Sequence, residues 1–361
     1  MARILVGLSG GVDSSVAAAL LVEQGHEVVG AYMKNWINEE GIPGDCPWEE
    51  DLNDAGKVAE TLGIQFRVVD LIDQYRERIV DYLLEGYRSG VTPNPDVLCN
   101  REMKFGVFLD YALSQGFASV ATGHYARRRE RADGTADILR GADPNKDQSY
   151  FLALMTQRQA RHALFPVGGM LKPQVRETAQ RFALPTAGKK DSQGICFIGN
   201  VKMSEFLRHY VPDNPGEIVD LEGKVRGEHH GLHLYTLGQR KGHGVASPRE
   251  GMAYVVVAKD PVENRLIVGW DEPETPGLYT RTCTVTSLSS IAEPIVTEGK
   301  RLCEAQPRYR AKAEAVTVES EENRLKLTFE RPQRALTPGQ ICAFYEGGRL
   351  LGGGVFGTVG A

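Results

Sequence analysis

The chain has six cysteines, Cys46, Cys99, Cys196, Cys283, Cys303 and Cys342, and no two of them form a Cys-x-x-Cys pair. Structural zinc of the paired-ligand kind therefore has little support. Long apolar runs are also missing. Ile4–Leu8 is too short for a secretory core and no small-residue cleavage site follows it. No stretch approaches the about 20 residues of a membrane span. The chain is expected to stay in the cytoplasm, without a membrane partner, where stable disulfides are rare. An excess of positive charge is absent as well. Lys and Arg number 42 against 47 Asp and Glu, for a net charge of -5. Any nucleic-acid surface must then be a local basic patch. No internal repeat or low-complexity tract is present, which removes repeat architectures.

What is present is an ordinary globular composition, 42% apolar and 25% charged, over 361 residues. That length exceeds one compact core and implies two or three domains. The first half alternates strand and helix patterns. Arg3–Leu8, His26–Met33, Gln65–Leu71 and Ala118–Thr122 read as strands. Ser14–Gln24, Glu49–Leu62, Asp73–Arg88 and Arg101–Gln115 read as helices, with Gly25 closing the first. This alternation predicts an α/β domain with a doubly wound parallel sheet. Beyond Gly199 the pattern becomes β-rich. Gly216–Thr236 and Met252–Trp270 read as hairpins, and short β segments with Gly/Pro punctuation recur from Leu278 onward. We expect an α/β domain over 1–200, a small central domain over 201–275 and a β-barrel over 276–361.

After the first strand comes Ser9-Gly10-Gly11-Val12-Asp13-Ser14. Glycines at 10 and 11 allow a tight turn and close ligand approach. The helix that follows offers unpaired N–H groups and a positive dipole end to phosphate. A plain strand-to-helix turn capped by Asp13 or Ser14 is the alternative, but it explains one residue rather than the run. No Gly-Lys-Ser/Thr follows, so the loop is not a Walker A loop. A site that grips pyrophosphate and leaves the α-phosphate open fits the missing lysine. The run resembles the signature of the PP-loop ATP pyrophosphatases, which couple ATP to AMP transfer. Asp13 supplies a hard oxygen suited to Mg²⁺ on the pyrophosphate.

Two cysteines sit in distinctive surroundings. Thr92-Pro93-Asn94-Pro95-Asp96-Val97-Leu98-Cys99-Asn100 reads as a proline-stiffened loop just before a helix, where the dipole favours a thiolate. Asp191-Ser192-Gln193-Gly194-Ile195-Cys196-Phe197-Ile198-Gly199 follows Lys189 and Lys190, whose charges also favour a thiolate. On the residues alone, two unrelated buried thiols explain these segments equally well. Cys283, Cys303 and Cys342 read as small buried hydrophobes, and Cys46 stays ambiguous.

SGGVDSS, TPNPDVLCN–REMKFG, ATGHYAR, DQSYFL, DSQGICFIG and YTLGQRKG, in this order, resemble the tRNA-specific 2-thiouridylase (MnmA) family over essentially the whole chain. The resemblance implies ATP-dependent 2-thiolation of the wobble uridine in tRNAs for Lys, Glu and Gln. The uracil 2-oxygen is adenylated and sulfur replaces AMP. It implies that Cys196 carries persulfide sulfur, that Cys99 is the catalytic nucleophile, and that the two form a transient disulfide. Release of hydrosulfide from Cys196 after reduction by Cys99 is the other route. The nucleotide site is expected at Gly7, Leu8, Ser9, Gly10, Gly11, Val12, Asp13, Ser14, Met33 and Gly123. Asn94, Pro95 and Asp96 are expected at the target base, with Asp96 as acid/base or, alternatively, as an Asx-turn residue. His124, Lys146, Asp147, Gln148, Arg308, Tyr309 and Gln340 are expected at tRNA, although a lone histidine such as His124 is more often structural or solvent-facing and Asp147 suits a helix cap equally well. A run of arginines at 127, 128, 129 and 131 fits RNA or a solvated face. A sulfur-donor protein, a cysteine desulfurase directly or through relay proteins, must stand upstream. Rival readings are another PP-loop ligase or synthetase, an RNA-binding protein with a vestigial loop, and a thiolase holding an iron–sulfur cluster on Cys99, Cys196 and Asp96.

Overall fold

A computed structural model describes residues 1–37, 41, 48–190, 202–247, 251–297 and 299–359. Cys46 and Cys196 lie outside the described residues. Strands β1 (Arg3–Gly7), β2 (Glu27–Lys34), β3 (Gln65–Asp70) and β4 (Ser119–Ala121) alternate with helices, as the hydrophobic pattern predicts. Helix α1 (Val12–Glu23) joins β1 to β2, and α2 (Trp48–Thr61) leads to β3. An unpredicted antiparallel hairpin, β5 (Ala126–Glu130) and β6 (Ala136–Arg140), follows β4. The short β7 (Ala163–Leu164) completes a five-stranded parallel sheet in the order β3-β2-β1-β4-β7. The chain winds outward from β1 through β2 to β3, then returns to the other side of β1 with β4. This reversal opens a crevice beyond the carboxyl ends of β1 and β4.

The sheet is apolar on both faces. Ile4 and Val6 pack with α1 and α2, whereas Leu5, Val29 and Val120 pack under a long helix carrying Phe105, Phe108 and Leu109. β1 is consequently buried from Ile4 to Gly7, as a strand covered on both faces must be.

The central part is a four-stranded sheet of β8 (Gly216–Asp220), β9 (Val225–His229), β10 (Tyr254–Asp260) and β11 (Arg265–Trp270), in the order β10-β11-β8-β9. The C-terminal part has β12 (Tyr279–Ser290), β13 (Lys300–Gln306), β14 (Glu314–Glu321), β15 (Arg324–Arg334), β16 (Ile341–Glu346) and β17 (Arg349–Val359). They pair as β12-β15-β14-β13-β16-β17, and β17 returns to β12 through Val285↔Phe356. The result is a closed six-strand barrel. Cys283, Cys303 and Cys342 lie in its interior, and burial pushes the thiols of the first two up to about 12. They are packing residues in poor surroundings for a thiolate.

Barrel and first domain share one core. Ile341, Ala343, Tyr345 and Leu350 pack in the same cluster as Tyr150, Leu152 and the residues beneath β1. The hairpin β5–β6 extends the barrel sheet through Arg349↔Leu139 and Leu350↔Ile138. Polar ties follow the same seam. The Tyr150 hydroxyl donates to Ile341 O at 2.9 Å, and Gln157 Nε2 donates to Ile291 O at 3.0 Å. Among the described residues, no helix is long and apolar enough to cross a membrane.

Candidate active site

The loop after β1 is braced by its own side chains. Ser9 N donates to Ser14 Oγ at 3.2 Å, and Ser14 Oγ donates to Gly11 O at 3.0 Å. Ser15 Oγ donates to Gly11 O at 2.8 Å and receives a bond from Thr186 Oγ1 at 2.9 Å. Gly11, in extended geometry, caps α1, and neither Asp13 nor Ser14 does so. Gly10 has φ +72°, and a Cβ there would stand 2.6 Å from Asp51 O, so α2 presses directly on the loop. Gly123, just past β4, closes the other side. A Cβ on it would lie 2.6 Å from Asp13 C and Ser14 N. The expected nucleotide residues Gly7 to Ser14 and Gly123 thus meet at the crevice. Leu8 and Val12 turn their side chains into the core. Met33 packs its Cε 3.4 Å from where a Gly7 Cβ would sit.

The cation missing from the loop's sequence arrives from elsewhere. Lys172, first residue of the helix Lys172–Arg181, places Nζ 2.7 Å from Asp13 Oδ1 and 3.0 Å from Oδ2. The Tyr125 hydroxyl donates to the same Oδ1 at 2.8 Å. No motif announces Lys172, because 159 residues separate it from Asp13. Its only sequence signal is a helix start, Leu171-Lys172-Pro173, with proline in the first turn.

Cys99 stands differently from the sequence expectation. Asn94 is itself an N-cap, its Oδ1 accepting from Val97 N at 3.2 Å, and Pro95 opens the helix. Helical backbone continues from Pro95–Leu98 through a π-helical Cys99–Val107 to Phe108–Ser114. Cys99 therefore lies inside a helix rather than on a loop before one. It is 1% exposed and packed among Val97, Met103 and Phe105. π-helical turns recur at functional sites. Phe108, on the same helix, comes within 3.7 Å of where a Gly7 Cβ would stand, so the Cys99 helix rests on the strand that leads into the Ser9–Ser14 loop. Two buried carbonyl oxygens near these elements, Asn35 Oδ1 beyond β2 and Asn100 Oδ1 beside Cys99, have no hydrogen-bond partner among the described residues.

The expected Cys196 motif lies outside the described residues, but its flanks are anchored. Arg176 Nη1 donates to Ala187 O at 2.8 Å and Lys189 O at 2.7 Å. Lys189 Nζ pairs with Asp51 Oδ1 at 2.8 Å and Asp54 Oδ2 at 2.7 Å on α2. Burial opposes that charge, yet the two carboxylates hold Lys189 above the usual lysine range. Lys189 thus serves α2, the helix that backs Gly10. On the far side, Phe206 of the helix Met203–Tyr210 is fully buried against Trp36, with ring centroids 6.1 Å apart.

Comparison with known proteins agrees with this geometry. Residues 2–200 match the tRNA methyl transferase HUP domain, 204–270 its PRC-barrel domain, and 280–356 the aminomethyltransferase beta-barrel domain. The tRNA-specific 2-thiouridylase MnmA of Akkermansia muciniphila is 67% identical over 360 residues, covering 99% of each chain. The chain belongs to the tRNA-specific 2-thiouridylase family. MnmA of Pseudomonas entomophila is 46% identical over 358 residues, 99% of this chain and 95% of that one. MnmA of Pseudomonas putida is 46% identical over 355 residues, 98% and 94% respectively.

Within this 2-thiouridylase chain, the residues expected at tRNA divide into two groups. From Lys146–Gln148 and Arg308–Tyr309, Asp147 and Tyr309 line one cavity of about 130 Å³, together with Arg140, Asn145, Gln306 and Arg310. Arg308 is exposed, and Tyr309 is half-buried with its ring 4.4 Å from that of Phe151. Asp147 is committed to the fold. Its carboxylate accepts from Gly141 N, Ser149 N, Ser149 Oγ and Arg140 Nη1 at 2.8 to 3.1 Å. Gln148 Oε1 likewise accepts from Tyr125 N at 3.0 Å.

Three further expectations change. His124 is buried rather than surface-facing, its ring 6.1 Å from both Phe105 and Phe165 and its Nδ1 2.8 Å from Thr122 Oγ1. Desolvation, with the Lys104 charge adding to it, lowers its pKa well below the usual histidine value. Gln340 directs Nε2 to Thr92 O at 2.8 Å and Pro93 O at 3.3 Å, so its amide holds the entry to the Cys99 helix. The arginine run is structural in part. Arg129 Nη2 lies 2.7 Å from the buried Asp137 carboxylate, which Arg131 also grips. Burial alone would raise the Asp137 carboxyl, but the two guanidiniums hold it below the usual range.

Proposed function

We propose that the protein catalyses ATP-dependent 2-thiolation of the wobble uridine in tRNAs for Lys, Glu and Gln. The observation that carries this reading is the packing of the Cys99 helix on the strand that ends in the phosphate loop, in a chain 67% identical to a protein named tRNA-specific 2-thiouridylase. A phosphate loop alone suits any AMP transfer. A cysteine on the helix that packs against that strand gives the activation a use, because a carbonyl oxygen leaves poorly until it is esterified to AMP.

The N–H groups at the start of α1 receive the phosphates of ATP, and Lys172 supplies the positive charge. Mg²⁺ enters with ATP, and Asp13 is the loop carboxylate suited to it. Both Asp13 oxygens are held by Lys172 in this structure. Asp13 would hold the metal, which would supply positive charge to the pyrophosphate, and Lys172, released from Asp13, would be free to reach phosphate. Asn94, Pro95 and Asp96 form the turn that receives the extruded base, with Asp96 moving protons there. Cys196 holds the sulfane sulfur. Its terminal sulfur bonds to C2 of the activated uracil while the C2–O bond breaks and AMP departs. The Cys99 thiolate then attacks the Cys196 sulfur. The sulfur–sulfur bond breaks with its electron pair staying on the base sulfur, and a Cys99–Cys196 disulfide remains. A thiol reductant resets the pair, and a cysteine desulfurase or a relay protein reloads Cys196. The exposed Arg308 and the half-buried Tyr309 beside it are the partners for the anticodon stem and loop.

The test is nucleoside mass spectrometry of tRNA incubated with the protein, ATP and a persulfide donor. A sulfur-for-oxygen mass change at the wobble uridine is expected. Its absence overturns the reading. Cys99→Ser is expected to abolish sulfur incorporation yet still release pyrophosphate with tRNA present, because activation of the uracil does not use the Cys99 thiol.

A further inference from the structure

We propose that Asn100 is a further substrate-positioning residue, whose buried side-chain carbonyl accepts the N3–H of the target uracil and so favours uracil over cytosine. The inference rests on the thiolation reading and adds a residue to it.

Asn100 follows Cys99 directly and is 3% exposed. Its Nδ2 donates to Asp96 O at 3.0 Å, four residues earlier on the helix. That bond settles the amide orientation, because Asp96 O can only accept. It also runs the side chain back toward the helix start, where Asn94, Pro95 and Asp96 form the turn assigned to the base. The other amide atom, Oδ1, is shut off from solvent with no hydrogen-bond partner among the described residues. A buried acceptor left without a donor is unfavourable, and native folds rarely keep one. A leucine of similar volume would avoid the cost. The acceptor is instead held one residue from the nucleophile, which suits a donor that arrives with the substrate.

Uracil has one ring N–H in a nucleoside, at N3, adjacent to the C2 that exchanges oxygen for sulfur. An acceptor fixed beside Cys99 can pair with that N–H and hold C2 in register. Cytosine presents a lone pair at N3, which would face the Asn100 carbonyl with like polarity. A site built around one such bond rejects the base that cannot make it. The neutral amide also spares the site a second anion beside Asp96.

The experiment compares wild type with Asn100→Leu and Asn100→Thr. Sulfur incorporation and pyrophosphate release are measured on tRNA transcripts bearing uridine or cytidine at the wobble position. Melting temperature and ATP and tRNA affinities are measured alongside. Asn100→Leu is expected to lower kcat/KM for uridine by about 10- to 100-fold. It should narrow the preference over cytidine, leave both affinities within about threefold, and change the melting temperature little, since the Nδ2 bond to Asp96 O is lost together with the unpaired acceptor. Asn100→Thr should recover part of the rate. Its hydroxyl can donate to Asp96 O, four residues back, and still accept one bond. A leucine variant as fast and as selective as wild type overturns the proposal, and so does loss of rate that tracks a lowered melting temperature in both variants. Wild type that introduces no sulfur overturns the thiolation reading itself. An active wild type beside an equally active leucine variant overturns only the role of Asn100.

Discussion

Substituting Gly123 by alanine tests whether the close approach of β4 to the start of α1 shapes the phosphate site. The new Cβ would stand 2.6 Å from Asp13 C and Ser14 N and 3.0 Å from Asp13 Cβ. Restoring ordinary contact at 3.4 Å requires the two backbones to part by about 0.8 Å. The atoms that must give way are backbone atoms of the first turn of α1, the same turn whose N–H groups receive phosphate in the proposed function. Misplacement on the order of 1 Å costs on the order of 100-fold in a positioned site. ATP affinity of Gly123→Ala should therefore fall about 100-fold by isothermal titration calorimetry, with an overpacking penalty of about 1–3 kcal/mol in chemical denaturation. Gly11→Ala is the counterpart. Its nearest neighbour is Ser9 Oγ at 3.5 Å, so the free fold accepts the methyl group. A loss of ATP affinity there reports crowding of the ligand itself. If Gly123→Ala binds ATP within threefold of wild type, the approach of β4 does not shape the site and the reasoning fails.

Lys172→Met should weaken ATP binding by about 10- to 100-fold, the worth of one hydrogen bond to a charged group. Unchanged affinity in a calorimetric titration would confine Lys172 to an ion pair with Asp13. Stability should also fall in mild acid. Burial holds His124, His229 and His233 below the usual histidine range. The unfolded chain takes up protons below about pH 6.5 while these folded rings do not, so stability is full above that pH and declines beneath it. Each ring contributes at most about 1.4 kcal/mol per pH unit. Urea midpoints at pH 7.5 and 5.5 measure the decline, and equal midpoints would show that other groups cancel it.

Much of the first domain is legible from neighbouring residues. The β1 run, the glycines after it and the helix that follows are local features, and the structure reproduces them as strand, braced loop and α1. The β-rich character after Gly199 is equally local. The Cys99 segment shows where local reading goes astray. Two prolines suggest a loop, yet Asn94 caps and Pro95 opens a helix, because proline's fixed φ and missing N–H suit the first helical position. Hairpin β5–β6 escapes notice because its arginines look like a solvated run, while Asp137, which neutralises two of them, is a lone acidic residue in the sequence.

The turn and helix start after β1 and the alternation that makes a parallel sheet are legible from the residues alone. Each depends on residues within a few positions of one another, where backbone geometry and side-chain period are decided. The tertiary structure alone brings Lys172 to Asp13, leaves no room for a side chain on Gly123, and sets Gln340 of the barrel on Thr92 and Pro93 ahead of Cys99. It also buries His124 and ties Arg129 and Arg131 to the buried Asp137 carboxylate. These pairings join residues far apart in the chain. They are set by strand order and by the docking of the barrel on the first domain, and neither is encoded in any short stretch of residues.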